Sequence, residues 1–246
     1  MGLTMRALAA ALPDIPRLVE TRAMLLSGAC EVLGEPEVGR YVVRSLDAAL
    51  AAVVGRPAPA LIREAAERHS RPDVLAGDDS ADYVRSALPR WVARRAIVHA
   101  LDEAQSRTTG SEGADVRLIA DGERISLTHV PRRLREEIES ARRRSPFTVA
   151  FVDGRAVSFA YVPWQTETLC DLSIDTLAPY RGRGLGAATA GRLVHHVQRQ
   201  GKHPVWGAVE SNTASLRLAA RLGFRPVDRL FVFSAHRLRS GATDDA

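Results

Sequence analysis

The sequence predicts an α/β (α+β) fold in which helices flank a mixed central sheet. Apolar and amphipathic segments of the second half follow one another in the order β-α-β-β-β-α-β-α-β. Asp153-Gly154 stands between two runs rich in β-branched and aromatic residues, which is a strong signal of a hairpin. The first half also mixes strand-like and helix-like segments. We therefore expect a smaller mixed β/α N-terminal domain and a larger C-terminal domain.

The N-terminal domain is predicted to span residues 1–103 with the order β-β-α-β-α-β. Its strands are expected at 41–45, 50–55, 73–76 and 94–101, and its helices at 59–69 and 80–88. Residues 104–115, AQSRTTGSEGAD, are polar, rich in Gly, Ser and Thr, and show no periodicity. This composition is typical of a linker, so the domain boundary is placed there.

The C-terminal domain is predicted to span residues 116–246. Its strands are expected at 116–121, within 147–162 as a hairpin, and at 166–176, 204–209 and 229–235, and its helices at 130–144, 184–200 and 212–222. Pro131 suits the first turn of a helix, whereas Gly201 and Gly223 suit the positions that end one.

Composition excludes several classes of protein. Of the 246 residues, 46% are hydrophobic and 26% charged, which is typical of a globular protein. No run approaches the roughly 18 apolar residues of a membrane span, so we expect a soluble, cytoplasmic protein with no membrane partner. Cys30 and Cys170 lack ligand spacing, which predicts neither a disulfide framework nor a metal site. Aromatic residues make up 5% and do not interleave with the arginines, so no nucleic-acid partner is expected despite the net charge of +5.

Residues 178–189, APYRGRGLGAAT, indicate a phosphate-binding loop. Glycines allow backbone N–H groups to approach a ligand, and the N-terminus of the helix that follows adds partial positive charge. A Walker loop requires a lysine that is absent here. Gly182-x-Gly184-x-x-Ala187 fits the dinucleotide pattern, with Glu210 at the end of the next strand as the ribose-binding acid. However, Leu-Ala-Pro-Tyr stands between the preceding strand and the loop, whereas the dinucleotide turn begins at the end of the strand, which disfavours that alternative.

The segment Arg181-Gly182-Arg183-Gly184-Leu185-Gly186 resembles the acyl-CoA pyrophosphate loop of the GNAT superfamily of N-acyltransferases, whose pattern is [RQ]-x-x-G-x-[GA]. Downstream, Asn212-x-x-Ser215 followed by Leu-Gly-Phe224 resembles the C-terminal motif of the same superfamily. The resemblance covers about residues 146–235. It implies an acetyl-CoA-dependent N-acetyltransferase that transfers the acetyl group directly to a primary amine of a small molecule, peptide or protein.

The resemblance also implies how acetyl-CoA binds. Main-chain groups of Thr176 and Leu177, at a bulge in the strand, would pair with the pantetheine arm. The pyrophosphate would accept hydrogen bonds from the backbone amides of Arg181, Gly182, Arg183, Gly184, Leu185 and Gly186. Asn212 and Ser215 would lie near the thiol, although Asn212 is also a good helix N-cap in any protein.

Acetyl transfer needs a base, because an alkylammonium with a pKa of about 10 must lose a proton before the amine attacks. Strand alternation places Glu167, Asp171, Ser173 and Asp175 on one face and the apolar residues of the strand on the other. We rank Asp171 first as base, Glu167 second and Glu210 third, and pairing of these acids with arginines is the alternative. An N–H near Leu177 would suit the oxyanion.

Three points have more than one interpretation in the sequence: the general acid, the function and the role of the N-terminal half. Ala219 stands where many members of the superfamily have a tyrosine that protonates the leaving thiolate, so Ser215, Tyr180 or water would serve instead. A catalytically silent acyl-CoA-binding protein is the alternative function. The N-terminal half vaguely resembles a degenerate second copy of the fold, with substrate capture, interdomain support or homodimer formation as its open roles.

Overall fold

The structure is a computed structural model that describes residues 3–67, 72–101, 115–120, 122–142 and 145–235. The chain forms two compact units, and each takes segments from both halves of the sequence. Unit 1 contains Met1–Leu12, Met24–Ala96 and Arg229–Ala246, and unit 2 contains Pro13–Ala23 and Ile97–Asp228. This division differs from the linear domains 1–103 and 116–246. Residues 104–114 of the expected linker lie outside the described residues.

Unit 1 is a mixed β/α unit. Its helices are α1 (Met5–Ala11), the end of α2 (Val19–Ser27), α3 (Pro59–Glu67) and α4 (Ala81–Ala87). Its complete strands are β1 (Cys30–Glu35), β2 (Arg40–Ser45), β3 (Leu50–Val54) and β4 (Asp73–Gly77). It also contains parts of β5 (Trp91–Leu101) and β11 (Phe224–Ala235). Strands β1, β2 and β3 are antiparallel neighbours, β4 is parallel to β3, and β11 pairs antiparallel with β4. Val42, Ile62, Val74, Val84 and Phe233 belong to its buried core.

Unit 2 has the predicted order of elements in the C-terminal half. They are β6 (Asp115–Leu118), α5 (Arg132–Arg142), β7 (Phe147–Val152), β8 (Arg155–Gln165), β9 (Leu169–Thr176), α6 (Leu185–Arg199), β10 (His203–Val209), α7 (Thr213–Arg221) and β11. The main differences lie at the ends of strands. Strand β9 begins at Leu169 rather than 166, because Thr166 closes a turn in which its hydroxyl accepts from Leu169 N at 2.9 Å. Strand β11 begins at Phe224 rather than 229.

The hairpin between β7 and β8 forms where the sequence predicts it. Asp153 and Gly154 both have positive φ angles, 50° and 72°, and Val152 pairs with Arg155 across the two-residue turn. Positive φ at both central positions is the geometry that matches the twist of the strands. The predicted hairpin is therefore confirmed.

The sheet of unit 2 has an apolar layer on each face. Strands β6, β7, β8 and β9 are antiparallel neighbours, and β10 is parallel to β9. On one face, Leu172 and Trp206 pack with Leu193 of α6 and Ala219 of α7. On the other face, aromatic residues of β7 and β8 pack with Ile138 of α5. Side chains of β9 thus alternate between a layer with α6 and α7 and a layer with α5.

The two units repeat one succession of elements. In both, three antiparallel strands are followed by a helix, a strand parallel to the third, and a second helix: β1-β2-β3-α3-β4-α4 and β7-β8-β9-α6-β10-α7. This order is consistent with the expected second copy. The connection from β3 to α3 is four residues, 55–58, and lacks the glycine pattern of the longer connection from β9 to α6.

Helices α1 and α2 and strand β1 are absent from the predicted N-terminal order. Pro13 and Pro16 interrupt the apolar pattern between the helices, and Gly34 together with charged residues obscures the alternation of β1.

Across the described ranges, no helix is long and apolar enough to cross a membrane. Within the same ranges, no group of three or more His, Cys, Asp or Glu residues is arranged to hold a metal ion.

Candidate active site

A groove in unit 2 opens where β9 and β10 separate. The described parallel pairs between the two strands join Leu169–Asp171 to His203–Val205, whereas β9 continues to Thr176 and β10 to Val209. A groove of about 840 Å³ lies beyond the last pair. It is lined by residues 172–176 of β9, by the glycine loop and the start of α6, by Trp206 and Gly207, and by α7 and its cap. This volume suits a ligand of cofactor size.

The glycine loop adopts a backbone that its sequence requires. Gly182 and Gly184 have φ angles of +76° and +79°, which residues with a Cβ rarely adopt, and Gly184 is the N-cap of α6. The first hydrogen bond of that helix joins Ala188 N to Gly184 O at 3.1 Å. The amides of the three residues before Ala188 thus have no partner within α6, and they stand at its positive end beside the groove.

Gly186 is required for a different reason, the close approach of α6 to β9. A Cβ at this position would lie 3.2 Å from Thr176 Oγ1 and 3.6 Å from Leu218 Cδ2. Each of the three glycines in the motif thus has a physical role, two through their φ angles and one through space. The backbone can therefore reach an anion that larger residues would keep away.

Three main-chain groups expected to meet acetyl-CoA are already hydrogen-bonded. Leu177 N donates to Val157 O of β8 at 2.9 Å, so it is not available to the pantetheine arm or to an oxyanion. Thr176 O accepts from Arg181 Nε at 3.0 Å. Arg181 N donates to Ala178 O at 3.3 Å, which closes a short 3-10 turn. The roles expected for Leu177 N and Arg181 N are corrected accordingly, whereas Thr176 O has a second lone pair that can accept from a ligand.

The expected bulge lies elsewhere, on the neighbouring strand β8, where residues 162 and 163 stand opposite Leu172 of β9. Tyr161 of β8 pairs with Ser173 and Trp164 pairs with Asp171, so the irregularity faces Leu172 rather than Thr176 and Leu177. Because Leu177 N points to β8, the alternation of an antiparallel ladder directs the main-chain groups of Ile174 to the side of β10. Beyond the last β9–β10 pair, that side is the groove. Ile174 thus replaces Leu177 as the candidate main-chain contact for the donor.

The cap of α7 supplies the opposite wall of the groove. Asn212 is its N-cap, and Oδ1 of this residue accepts from Ser215 N at 3.1 Å, which confirms the structural role expected of it. The Ser215 hydroxyl in turn accepts from Trp206 Nε1 at 2.9 Å. Asn212, Ser215 and Trp206 all line the groove. The side chain of Ala219 is buried in the core, so it offers no polar group there.

Asp171 faces the layer opposite to α6, as strand alternation predicts. Burial and the charge of Glu20 raise the pKa of Asp171 well above its usual range. Burial likewise raises the pKa of Glu20 to about 7. Two carboxylates whose charges repel share protons more readily than they ionise together, so near neutral pH the pair can accept one proton.

Glu20 was missed in the sequence, and tertiary structure explains why. It lies in Pro13–Ala23, the N-terminal segment that belongs to unit 2. Asp14 Oδ2 accepts from Thr168 Oγ1 at 2.7 Å, and Arg22 binds Glu167, so the segment is held against the start of β9. An acidic residue in the first turn of a helix is usually a solvated charge that suits the helix dipole, and no neighbouring residue indicates contact with β9.

Glu167 and Glu210 are in surroundings that do not favour a base. Arg22 donates to both carboxylate oxygens of Glu167 through Nε at 2.9 Å and Nη2 at 2.8 Å, and these bonds lower the pKa of Glu167. A carboxylate held in an ion pair is a weaker base. For Glu167 the structure therefore favours the alternative interpretation, in which the acid pairs with an arginine. Glu210 is exposed in the turn after β10 and lies outside the residues that line the groove.

A second acidic group lies farther along β9. Tyr161 Oη contacts Glu137 Oε1 at 2.9 Å and Asp175 Oδ2 at 3.1 Å. Burial and the charge of Glu137 raise the pKa of Asp175, and burial, followed by the two carboxylates, raises that of Tyr161. A phenol has one hydrogen, so a proton on Asp175 allows both contacts to be hydrogen bonds. This face of β9 is therefore acidic along its length.

Comparison with known proteins supports the expected family. Residues 147–233 match the model of the family described as GNAT acetyltransferase. An uncharacterized N-acetyltransferase, YdfB, of Bacillus subtilis (strain 168) is 35% identical over 63 residues, which are 26% of this chain and 24% of that protein. The match thus spans about a quarter of the length of this curated relative.

Solved structures share the fold at low identity. A GCN5-related N-acetyltransferase-like protein from Streptococcus suis 89/1591 is similar with a TM-score of 0.70 and 17% identity, covering 94% of this chain and 98% of that one. A tandem GNAT protein from the clavulanic acid biosynthesis pathway is similar with a TM-score of 0.54 and 16% identity, covering 83% and 79%. The resemblance drawn from the glycine loop is confirmed by the match of residues 147–233 to the model of the GNAT acetyltransferase family.

Proposed function

We propose that the protein is an acetyl-CoA-dependent N-acetyltransferase that acts on a primary amine. The observation that carries this proposal is the groove between the separated strands β9 and β10, with the glycine loop at one end. Free amides at the start of α6 would bind the pyrophosphate. The pantetheine arm would extend along β9 toward the last β9–β10 pair. The thioester would then lie beside Leu172, next to Asp171.

The pair formed by Asp171 and Glu20 would remove the proton of the acceptor amine. Attack forms the N–C bond, the tetrahedral intermediate collapses with cleavage of the C–S bond, and the proton from nitrogen passes to the carboxylate pair, directly or through water. A base whose pKa lies near the working pH combines readiness to accept the proton with adequate strength. The raised pKa values of both residues support this role.

The acidic face of β9 supports a cationic acceptor. Glu20 and Asp171 lie near the reaction centre, and Asp175 and Glu137 lie farther along the same face. Negative charge attracts ammonium groups and repels carboxylates. A diamine or a polyamine is thus a better candidate than an acidic amino acid.

Calorimetric titration tests the donor. Wild type should bind acetyl-CoA and CoA but not NAD. Binding of NAD without CoA would instead support a dinucleotide-binding protein, and binding of neither would refute the proposal.

Thiol release with a panel of amines tests turnover. Cationic diamines should be acetylated, and Asp171→Asn should lower kcat by about 100-fold or more while acetyl-CoA still binds. Binding of acetyl-CoA without turnover of any amine is the result expected of a silent acyl-CoA-binding protein.

A further inference from the structure

The hydroxyl of Ser215 has a defined direction of donation. Trp206 Nε1 lies 2.9 Å from Ser215 Oγ, and an indole N–H donates only, so the serine oxygen is the acceptor. Ser215 N is already held by Asn212 Oδ1. The hydroxyl hydrogen of Ser215 is therefore left for another acceptor, and the residue lines the groove.

Trp206 is well placed to fix that direction. Its side chain is 2% exposed, and its ring meets Phe224 edge-on with centroids 5.3 Å apart. Its carbonyl oxygen accepts from His99 Nδ1 at 3.2 Å, since a carbonyl can only accept. The indole is thus held by contacts on its ring and on its backbone, and its N–H has little freedom to point elsewhere.

The position of the pair along the groove identifies the reacting group that it faces. Trp206 is the first residue of β10 after Val205, where the described pairing with β9 stops. Strand β9 ends at Thr176, five residues and roughly 17 Å beyond Asp171, and the glycine loop follows that end. If phosphates occupy the glycine loop, an extended pantetheine arm brings its sulfur to the end where Trp206 and Ser215 stand.

We infer that Ser215 donates a hydrogen bond to the sulfur of the departing CoA thiolate, and that Trp206 is the positioning residue that directs this bond. The inference rests on the proposed function. When the C–S bond breaks, its electron pair remains on sulfur. A serine hydroxyl is much less acidic than a thiol with a pKa near 8.5, so it stabilises the thiolate as a donor without giving up its proton. The indole N–H polarises the hydroxyl and strengthens this donation.

This pair accounts for the alanine at position 219. The side chain of Ala219 is fully buried and apolar, so it contributes no donor to the leaving group. Ser215 lies one helical turn earlier on α7 and carries a hydroxyl into the groove. The chain thus keeps a hydrogen-bond donor for the thiolate on the same helix.

The test combines single-turnover kinetics with an ultraviolet titration of the thiol of bound CoA. Ser215→Ala should slow acetyl transfer on the order of 10- to 100-fold, the usual effect of losing a hydrogen bond to a charged group, with little change in acetyl-CoA affinity. It should also raise the pKa of the bound CoA thiol. Ser215→Thr retains the hydroxyl and should restore most of the rate and the thiol pKa.

Trp206→Phe tests the positioning residue, since it keeps an aromatic ring against Phe224 and removes the N–H, together with the second ring of the indole. It should slow transfer in the wild-type background and have no further effect when combined with Ser215→Ala. A wild-type rate and an unchanged thiol pKa in Ser215→Ala would overturn the inference while leaving the proposed function intact. Failure of the wild type to bind CoA would overturn both.

Discussion

Arg22 and Glu167 form a two-point ion pair that joins the N-terminal segment to the start of β9. Nε and Nη2 of Arg22 lie 2.9 and 2.8 Å from the two carboxylate oxygens of Glu167. The arginine side chain is only 11% exposed, whereas the glutamate is 52% exposed. Because the same segment carries Glu20, this pair connects folding of the N-terminus to the geometry of the candidate base.

Arg22→Ala should therefore impair both stability and catalysis. Loss of the pair should cost about 1 to 2 kcal/mol of unfolding free energy, since one partner remains solvated. The rate should fall because Glu20 is no longer held beside Asp171. Arg17→Ala is the matched control: its bond to Asp228 is longer, at 3.6 Å, and the arginine is 46% exposed. Equal rates in the two variants would contradict this account.

Glu20→Gln should change the pH dependence of the reaction. The base works only when it is deprotonated, so the rate should rise with pH as the carboxylate pair loses its proton. The charge of Glu20 contributes to the raised pKa of Asp171, and its removal should shift the acidic limb of the kcat profile to lower pH. A profile of kcat against pH between about 5 and 9 measures the shift, and an unchanged limb would show that the residues do not interact.

The same substitution should stabilise the fold at alkaline pH. Burial raises the pKa of Glu20 in the folded state, so this state binds the proton more tightly than the unfolded chain and loses stability as pH rises through the raised value. Glu20→Gln removes that loss and should raise the unfolding free energy at pH 8 by about 1 to 3 kcal/mol. Thermal melts at pH 4 and pH 8 provide the check, because the gain should be nearly absent at pH 4, below the pKa of Glu20 in the unfolded chain.

Gly184→Ala should separate backbone strain from donor binding. Gly184 and Gly201 have φ angles of +79° and +74°, and a Cβ on either would meet no atom within 4 Å. Both alanine variants should thus lose about 1 kcal/mol of stability through strain alone. Only Gly184→Ala should weaken acetyl-CoA binding, because Gly201 lies beyond the opposite end of α6. Similar affinities for acetyl-CoA in the two variants would refute the role of the loop.

Local patterns were sufficient for the elements of unit 2 and for the backbone of the glycine loop. The order from β6 to β11, the Asp153-Gly154 hairpin and the glycine loop all follow from short-range chemistry, namely side-chain periodicity, turn residues and allowed φ angles. Alternation along β9 also predicted that Asp171 would face away from α6. The N-terminal elements were predicted less completely, because prolines and charged residues obscure the periodicity of α1, α2 and β1.

Local sequence patterns did not predict the hydrogen-bond partners of the site residues. The sequence suggested that Leu177 N would be free, yet Val157 O accepts from it, and the bulge lies opposite Leu172. Similarly, Glu167 is a candidate base only until Arg22 is found beside it. Each of these outcomes depends on the register of two segments distant in sequence, which no window of neighbouring residues contains.

The sequence by itself determined the glycine loop of the candidate site, because such a loop is built from backbone, and glycines at fixed spacing reveal where the backbone is exposed. Only the tertiary structure decided the surroundings of the candidate catalytic side chains. The proton affinity of Asp171 depends on burial and on Glu20, and the orientation of Ser215 depends on Trp206. Both are properties of side chains brought together by folding, since electrostatic and hydrogen-bond energies depend on distance in space rather than on distance along the chain.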